Sequence, residues 1–193
     1  MSTKRIFAAL ATVIVGVGLA GCSIPSGSNV PDEPVAFSVG GVEITVGETP
    51  VGKLYDAGFE LRAAGTVDDL DHAILLEPDS YYDMLSLHKA EQGYGLIDLV
   101  TGTEAVELED GLVAQVHSTV DEDLDASNLM VEGICLADLT VEKALEAVEG
   151  SQYNQQENRV ERTTENYTFA LTFADGKAVE LTVACLYEID YNS

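Results

Sequence analysis

Leu139-Thr140-Val141-Glu142-Lys143-Ala144-Leu145-Glu146-Ala147-Val148-Glu149-Gly150 is the stretch that decides the architecture. Thr140 has the hydroxyl that caps a helix start, Ala, Leu, Glu and Lys favour the helix interior, and Gly150 is a common terminator. The helix is short, and its surroundings are not helical. Val131 to Ala137 reads as a strand ahead of it, and the polar run Ser151 to Asn158 reads as a loop behind it. Tyr167 to Phe173 then alternates apolar with polar, Asp175-Gly176 offers a tight turn, and Ala178 to Tyr191 makes a long last strand. One helix followed by antiparallel strands is the unit to look for elsewhere.

The first half yields a similar unit. Val35 to Val39 and Val42 to Val46 flank Gly40-Gly41, whose glycines accept the positive φ of a hairpin turn. Thr49-Pro50 reads as a cap followed by proline at the first helical position, with Val51, Leu54, Tyr55 and Ala57 on one side and Gly58 as the stop. From Phe59 to His117 the pattern is β-like. Ala73 to Leu76 is a compact apolar run, and Leu96 to Val100 and Glu104 to Leu108 follow. Asp110-Gly111 reads as a second hairpin turn. Tyr81 to His88 fits both periods, and the close bounds of Pro78 and Gly93 favour a strand. Ile44 to Ala57 aligns with Ile134 to Ala147, placing Val51 with Val141 and Lys53 with Lys143. The expectation is an α+β domain over residues 35–193, mainly antiparallel sheet with two short helices. It reads as a tandem repeat, 35–120 and 129–193, joined by the polar stretch Asp121 to Asn128.

Ahead of this domain lies a different kind of sequence. Lys4 and Arg5 precede Ile6 to Gly21, an uncharged apolar run of 16 residues. A spanning helix needs about 20, so the run reads as the core of an export signal. It closes on Leu19-Ala20-Gly21-Cys22, which resembles the lipobox of bacterial lipoproteins. The resemblance implies removal of residues 1–21 as a signal peptide and transfer of a diacylglycerol to the thiol of Cys22. Two or more acyl chains hold a domain stably on a membrane where one does not. Residues 22–34 carry Pro25, Pro31 and Pro34 among Ser and Gly and read as a flexible linker. The second half is similar, over about a third of the chain, to helix-plus-meander units of small assembly lipoproteins and β-lactamase-inhibitor-protein-like domains. No partner-binding residue of those families maps onto this sequence.

Charge narrows the partners. A formal charge of −25, spread along the chain, disfavours nucleic acid and anionic lipid faces. It suits solubility outside the cell, or a cation or basic partner. With Cys22 lipidated, Cys135 and Cys185 remain as an even pair, either a disulfide or two separate buried thiols acting as small hydrophobes. Asp121, Asp123, Asp125, Ser127 and Glu132 approximate the oxygen spacing of an EF-hand calcium loop. Ala126 replaces the turn glycine and the flanks are strands, so a plain solvated connection is the stronger reading. Asp68, Asp69 and Asp71 beside His72 have the residue types of acid–base or metal sites, and read as a surface loop. No nucleophile motif, phosphate loop or Cys-x-x-Cys occurs. Tyr81-Tyr82, Tyr187 and Tyr191 suit either a recognition face or ordinary strand packing.

These observations lead to a lipid-anchored protein on the extracytoplasmic face of the cell membrane. It binds a protein or small ligand, holds no cofactor besides the acyl lipid, and leans away from enzymatic activity. The rivals are a cell-envelope hydrolase without a recognisable motif and a calcium-dependent surface module.

Overall fold

The computed structural model describes residues 30–121 and 124–187. β1 (Phe37–Val39) and β2 (Val42–Ile44) form a hairpin in which Val39 faces Val42. Gly40 and Gly41 turn it with φ of 54° and 85°. Helix α1 (Val51–Asp56) follows, then β3 (Glu60–Arg62), β4 (Leu75–Leu76), β5 (Tyr81–Lys89), β6 (Gln92–Val100), β7 (Val106–Glu107) and β8 (Leu112–Thr119). A second passage repeats the order. β9 (Leu129–Val131) and β10 (Ile134–Cys135) make a hairpin, α2 (Val141–Ala147) follows, and β11 (Gln152–Asn154), β12 (Arg159–Thr163), β13 (Tyr167–Ala174) and β14 (Lys177–Cys185) form a meander.

Two main sheets result, and all named strand pairings among the described residues are antiparallel. The small sheet runs β10-β9-β1-β2, and the large one runs β11-β12-β13-β14-β8-β6-β5-β3. Each is symmetric in its order: the two passages meet at β1 and β9 in one and at β8 and β14 in the other. β4 and β7 pair only with each other and are an addition to the first passage. The chain is therefore α+β and mainly antiparallel.

One core joins the layers. Phe37, Val39 and Ile44 of the small sheet, Leu54 of α1, Ile97 and Leu99 of β6 and Leu171 and Leu181 of β13 and β14 belong to a single buried cluster. Full burial of each such side chain stabilises the fold by about 1.5–3 kcal/mol. The end of α1 feeds this core directly. Gly58 has φ 83° and its N–H donates to the Tyr55 carbonyl, while the Phe59 N–H donates to the Leu54 carbonyl. This paired closure places Phe59, fully buried, next to Leu54. Tyr81 to His88 is strand, within β5.

Five local expectations are corrected. Ser151 to Asn158 is not all loop, since Gln152–Asn154 pairs with β12 as β11. Thr49 does not cap α1. Pro50 holds the cap position with no side-chain bond, and Thr49 Oγ1 turns back to accept the Thr45 N–H at 2.8 Å. Pro50 itself is extended, with ψ 149°, and bridges to Leu112, so the helix begins one residue later. Asp110-Gly111 is not a hairpin turn. Leu108–Asp110 forms a 3-10 turn and Gly111 is extended, because β7 before it pairs with β4 and β8 after it pairs with β6 and β14. Val131 to Ala137 is not one strand. Glu132 and Gly133, at φ 48° and 74°, fold it into the β9–β10 hairpin. The linker does not reach Pro34. Val30 lies against Gly150, Asp32 accepts from Asn166, and Arg162 donates to the Glu33 carbonyl, which fastens the chain to the second passage.

Candidate functional site

Alternation along the central strands separates two faces of the large sheet. Phe169, Leu171 and Phe173 point to the core, while Thr168, Ala170 and Thr172 between them stay partly exposed. Registers extend that second face strand by strand: Ala170 pairs with Thr182, Thr182 with His117, His117 with Leu96 and Leu96 with Ser86. This row of small, polar and aliphatic side chains crosses five strands with none fully buried. His117 Nδ1 lies 2.9 Å from Thr182 Oγ1, and Glu180 Oε1 stands 3.9 Å from the same ring nitrogen.

At one end of this face β5 departs from regular pairing. Its register against β6 slips between Tyr82 and Leu85, leaving Asp83 and Met84 as the bulge. Met84 takes φ 60° and is 51% exposed. Only asparagine, aspartate and glycine visit that region readily, so the conformation costs about 1–3 kcal/mol and needs a support. Asp98, 7% exposed, supplies it: Oδ1 accepts the Met84 N–H at 2.9 Å and Oδ2 accepts the Tyr81 hydroxyl at 2.7 Å. The result is an exposed methionine and a tyrosine held rigidly at the rim of an open sheet face. Rigid, amphipathic side chains of this kind suit recognition.

Tyr81 and Tyr55 are both tuned upward. Burial is the main cause in each; for Tyr81 the Asp98 carboxylate adds to it, and for Tyr55 the charges of Glu60 and Glu109 do. Both phenols stay protonated in the folded state beyond the ordinary range near pH 10. Their contribution is fully present below about pH 10 and is lost as pH rises through the raised values, because the unfolded phenols ionise first. The part of the stability that these two groups supply should hold level up to about pH 10 and then fall. Asp98→Asn should let one phenol ionise at lower pH than in the parent, read by absorbance near 295 nm.

The expected site residues scatter. Cys22, Asp123 and Tyr191 lie outside the described residues. Cys135 and Cys185 are free thiols in different sheets. Cys135 Sγ faces the Ala126 carbonyl at 3.6 Å, and Cys185 lies beside Gly47 with its pKa pushed up by burial. Asp121 accepts the Leu124 N–H, and Asp125 accepts the Ser127 N–H and caps a 3-10 turn. Glu132 is drawn away to the small sheet, where Oε1 accepts the Ala36 N–H at 3.0 Å. Among the described residues no three His, Cys, Asp or Glu side chains converge as metal ligands would. Asp69 binds Arg62 and His88, and His72 binds Glu60, so the Asp68 to His72 cluster is bound within the fold. Tyr187 donates to the Thr101 carbonyl. The one clear signal for Asp98 in the sequence was a lone carboxylate between Ile97 and Leu99 in an apolar strand.

Basic side chains are largely committed. Lys53 and Lys143 donate to the carbonyls of Glu43 and Asp138, Arg159 pairs with Glu157 and Glu161, and Lys89 sits 5.3 Å over the Phe59 ring. The surplus negative charge is left to face outward.

Comparison of the chain with protein-family models, curated proteins and solved structures finds no match to any of them.

Proposed function

We propose that this is a lipid-anchored extracytoplasmic binding protein whose open sheet face receives a protein partner. The observation that carries the reading is a face of the eight-stranded sheet left open by the described residues, with Tyr81 and Met84 braced at its rim by the buried Asp98. A large rigid surface and an anchor signal at Cys22 together favour binding over turnover. The negative charge favours a partner with a basic surface, since complementary fields speed encounter and like fields oppose it.

Two measurements test this. Intact mass of protein extracted from membranes should show a diacylglycerol-sized increment on a chain starting at Cys22, and the Cys22→Ser variant should lack it and leave the membrane. A chain retaining residues 1–21 without lipid overturns the anchor. A photo-crosslinking side chain at Thr172 should give one discrete adduct in cells, and the same group at Glu43, on the small sheet, should not. Equal labelling from both positions, or none from Thr172, overturns the binding face.

A further inference from the structure

The two passages end at opposite edges of the large sheet, β3 at one and β11 at the other, and the two edges are finished differently. The β3 edge is covered by the chain itself. Residues 63–74 run back along it as a strap: Arg62 and Asp69 form an antiparallel bridge, and the Leu70 N–H donates to the Leu61 carbonyl at 2.8 Å. Asp69 Oδ1 lies 2.8 Å from both Arg62 Nε and His88 Nε2. The His72 ring stacks on Tyr55 of α1, centroids 3.6 Å apart and planes 4° from parallel. The strap is thus an added strand, bonded through the middle residue of β3 and fixed to the helix by one ring.

Among the described residues the β11 edge has the same plan without the strap. Thr164 donates to the Tyr167 carbonyl and Phe173 to the Asn158 carbonyl, so even-numbered residues of β12 bond to β13. Odd-numbered Arg159 and Glu161 therefore turn to β11, and their register partners Asn154 and Gln152 turn to β12. The N–H and C=O of Tyr153, the middle residue of β11, are left pointing outward, as the Leu61 carbonyl does under the strap. Helix α2 packs on β11 and β12. Leu145 holds the position of Tyr55 in the Val51–Val141 alignment, and Leu145 and Tyr153 are 37% and 36% exposed. Sheet edges are usually guarded by charge or proline. Ser151-Gln152-Tyr153-Asn154-Gln155-Gln156 has neither, in a chain of net charge −25.

We propose that the outer edge of β11, beside α2, takes an extended peptide of a partner protein as an added strand. Strand addition draws affinity from main-chain bonds and specificity from alternate side chains. The strap shows how this fold seats such a segment. Charge sets the difference. The strap brings Asp69 to Arg62 and His88, whereas α2 and the turn after it carry the exposed Glu142, Glu146 and Glu149, and Arg159 is already paired with Glu157 and Glu161. The incoming peptide therefore carries Lys or Arg where the strap carries aspartate, and an apolar or aromatic side chain for Leu145 and Tyr153. This site lies on the edge of the sheet and stands independently of the open face.

The test uses the full chain and a synthetic peptide of residues 65–73 bearing Asp68→Lys, Asp69→Lys and Asp71→Lys. The expected result is saturable binding, with at least tenfold slower exchange of the Tyr153 amide when the peptide is bound. The peptide with its native aspartates should bind at least tenfold more weakly. Tyr153→Pro should lower affinity at least tenfold, since an outward N–H is the kind proline can replace on an edge strand. Leu145→Lys, a surface change, should lower it as well and covers the case in which the proline variant does not fold. Absence of saturable binding, or binding unchanged in both variants, overturns the proposal. A Tyr153 amide already protected in the free chain assigns the edge to the chain's own N-terminal segment and overturns it. A dimer lost in Tyr153→Pro assigns the edge to a second copy and also overturns it. Adducts from Thr172 that persist in Tyr153→Pro show the open-face reading surviving on its own.

Discussion

Gly95→Ala should lower the melting temperature by about 10 °C or more, or prevent folding outright. Gly95 sits in β6 opposite Leu87, between β5 and β8, with φ 113°. A Cβ there would stand 2.2 Å from the His117 carbonyl oxygen and 2.9 Å from Ser118 Cα. Both obstacles are backbone, so no side chain can rotate out of the way. The neighbouring strand must move, and it is the strand through which the two passages join. Ser118, fully buried, also donates through Oγ to the Tyr94 carbonyl at 2.7 Å, a bond that the same displacement breaks. Backbone strain of about 1–3 kcal/mol adds to an overpacking cost of similar size, for a total of roughly 3–5 kcal/mol. Thermal unfolding followed by circular dichroism measures it. A melting temperature within 3 °C of the parent would show that β6 and β8 can separate cheaply.

Asp98→Ala should cost about 2 kcal/mol and free the β5 bulge. The change removes the acceptor of both the Met84 N–H and the Tyr81 hydroxyl. The half-exposed Tyr81 can turn to water, whereas the Met84 N–H is partly enclosed and loses its partner. Met84 gains back some of its strain by leaving the left-handed region, which limits the net loss. Hydrogen exchange should accelerate at residues 83–85 and remain slow in β13 and β14. The open-face adduct from Thr172 should weaken, since the rim anchors are no longer fixed. An Asp98→Ala protein with unchanged exchange at Met84 would place the support of the bulge elsewhere.

Much of the fold was legible because it is written in local chemistry. Gly40-Gly41 between Val39 and Val42, and Asp175-Gly176 between two alternating segments, take positive φ, and both are hairpin turns. Thr140 caps α2 through the Lys143 N–H, as its hydroxyl and position foretold. Asp110-Gly111 misled because a dipeptide reports what a backbone can do; here partners far along the chain chose another use. Glu132-Gly133 was hidden for the converse reason, since glutamate is an unusual hairpin residue. The candidate site was the less legible part. Asp98 matters through Tyr81 and Met84, 17 and 14 residues away, and only strand register brings them together. The bareness of the β11 edge depends on sheet order, which no window of sequence contains.

The position of β14 has a consequence for the order of events in folding. This strand, ending at Cys185, is inserted between β13 and β8 at the middle of the large sheet. Strands β3, β5, β6 and β8 therefore wait with one long edge open until nearly the last of the described residues arrives. The matching contact of β1 with β9 closes late as well. Contacts of such long sequence separation make folding slow, and the exposed β8 edge is the surface on which a nascent first half would aggregate. For the exported protein proposed above, this arrangement keeps the chain unfolded longer, because its first half cannot complete its sheet alone.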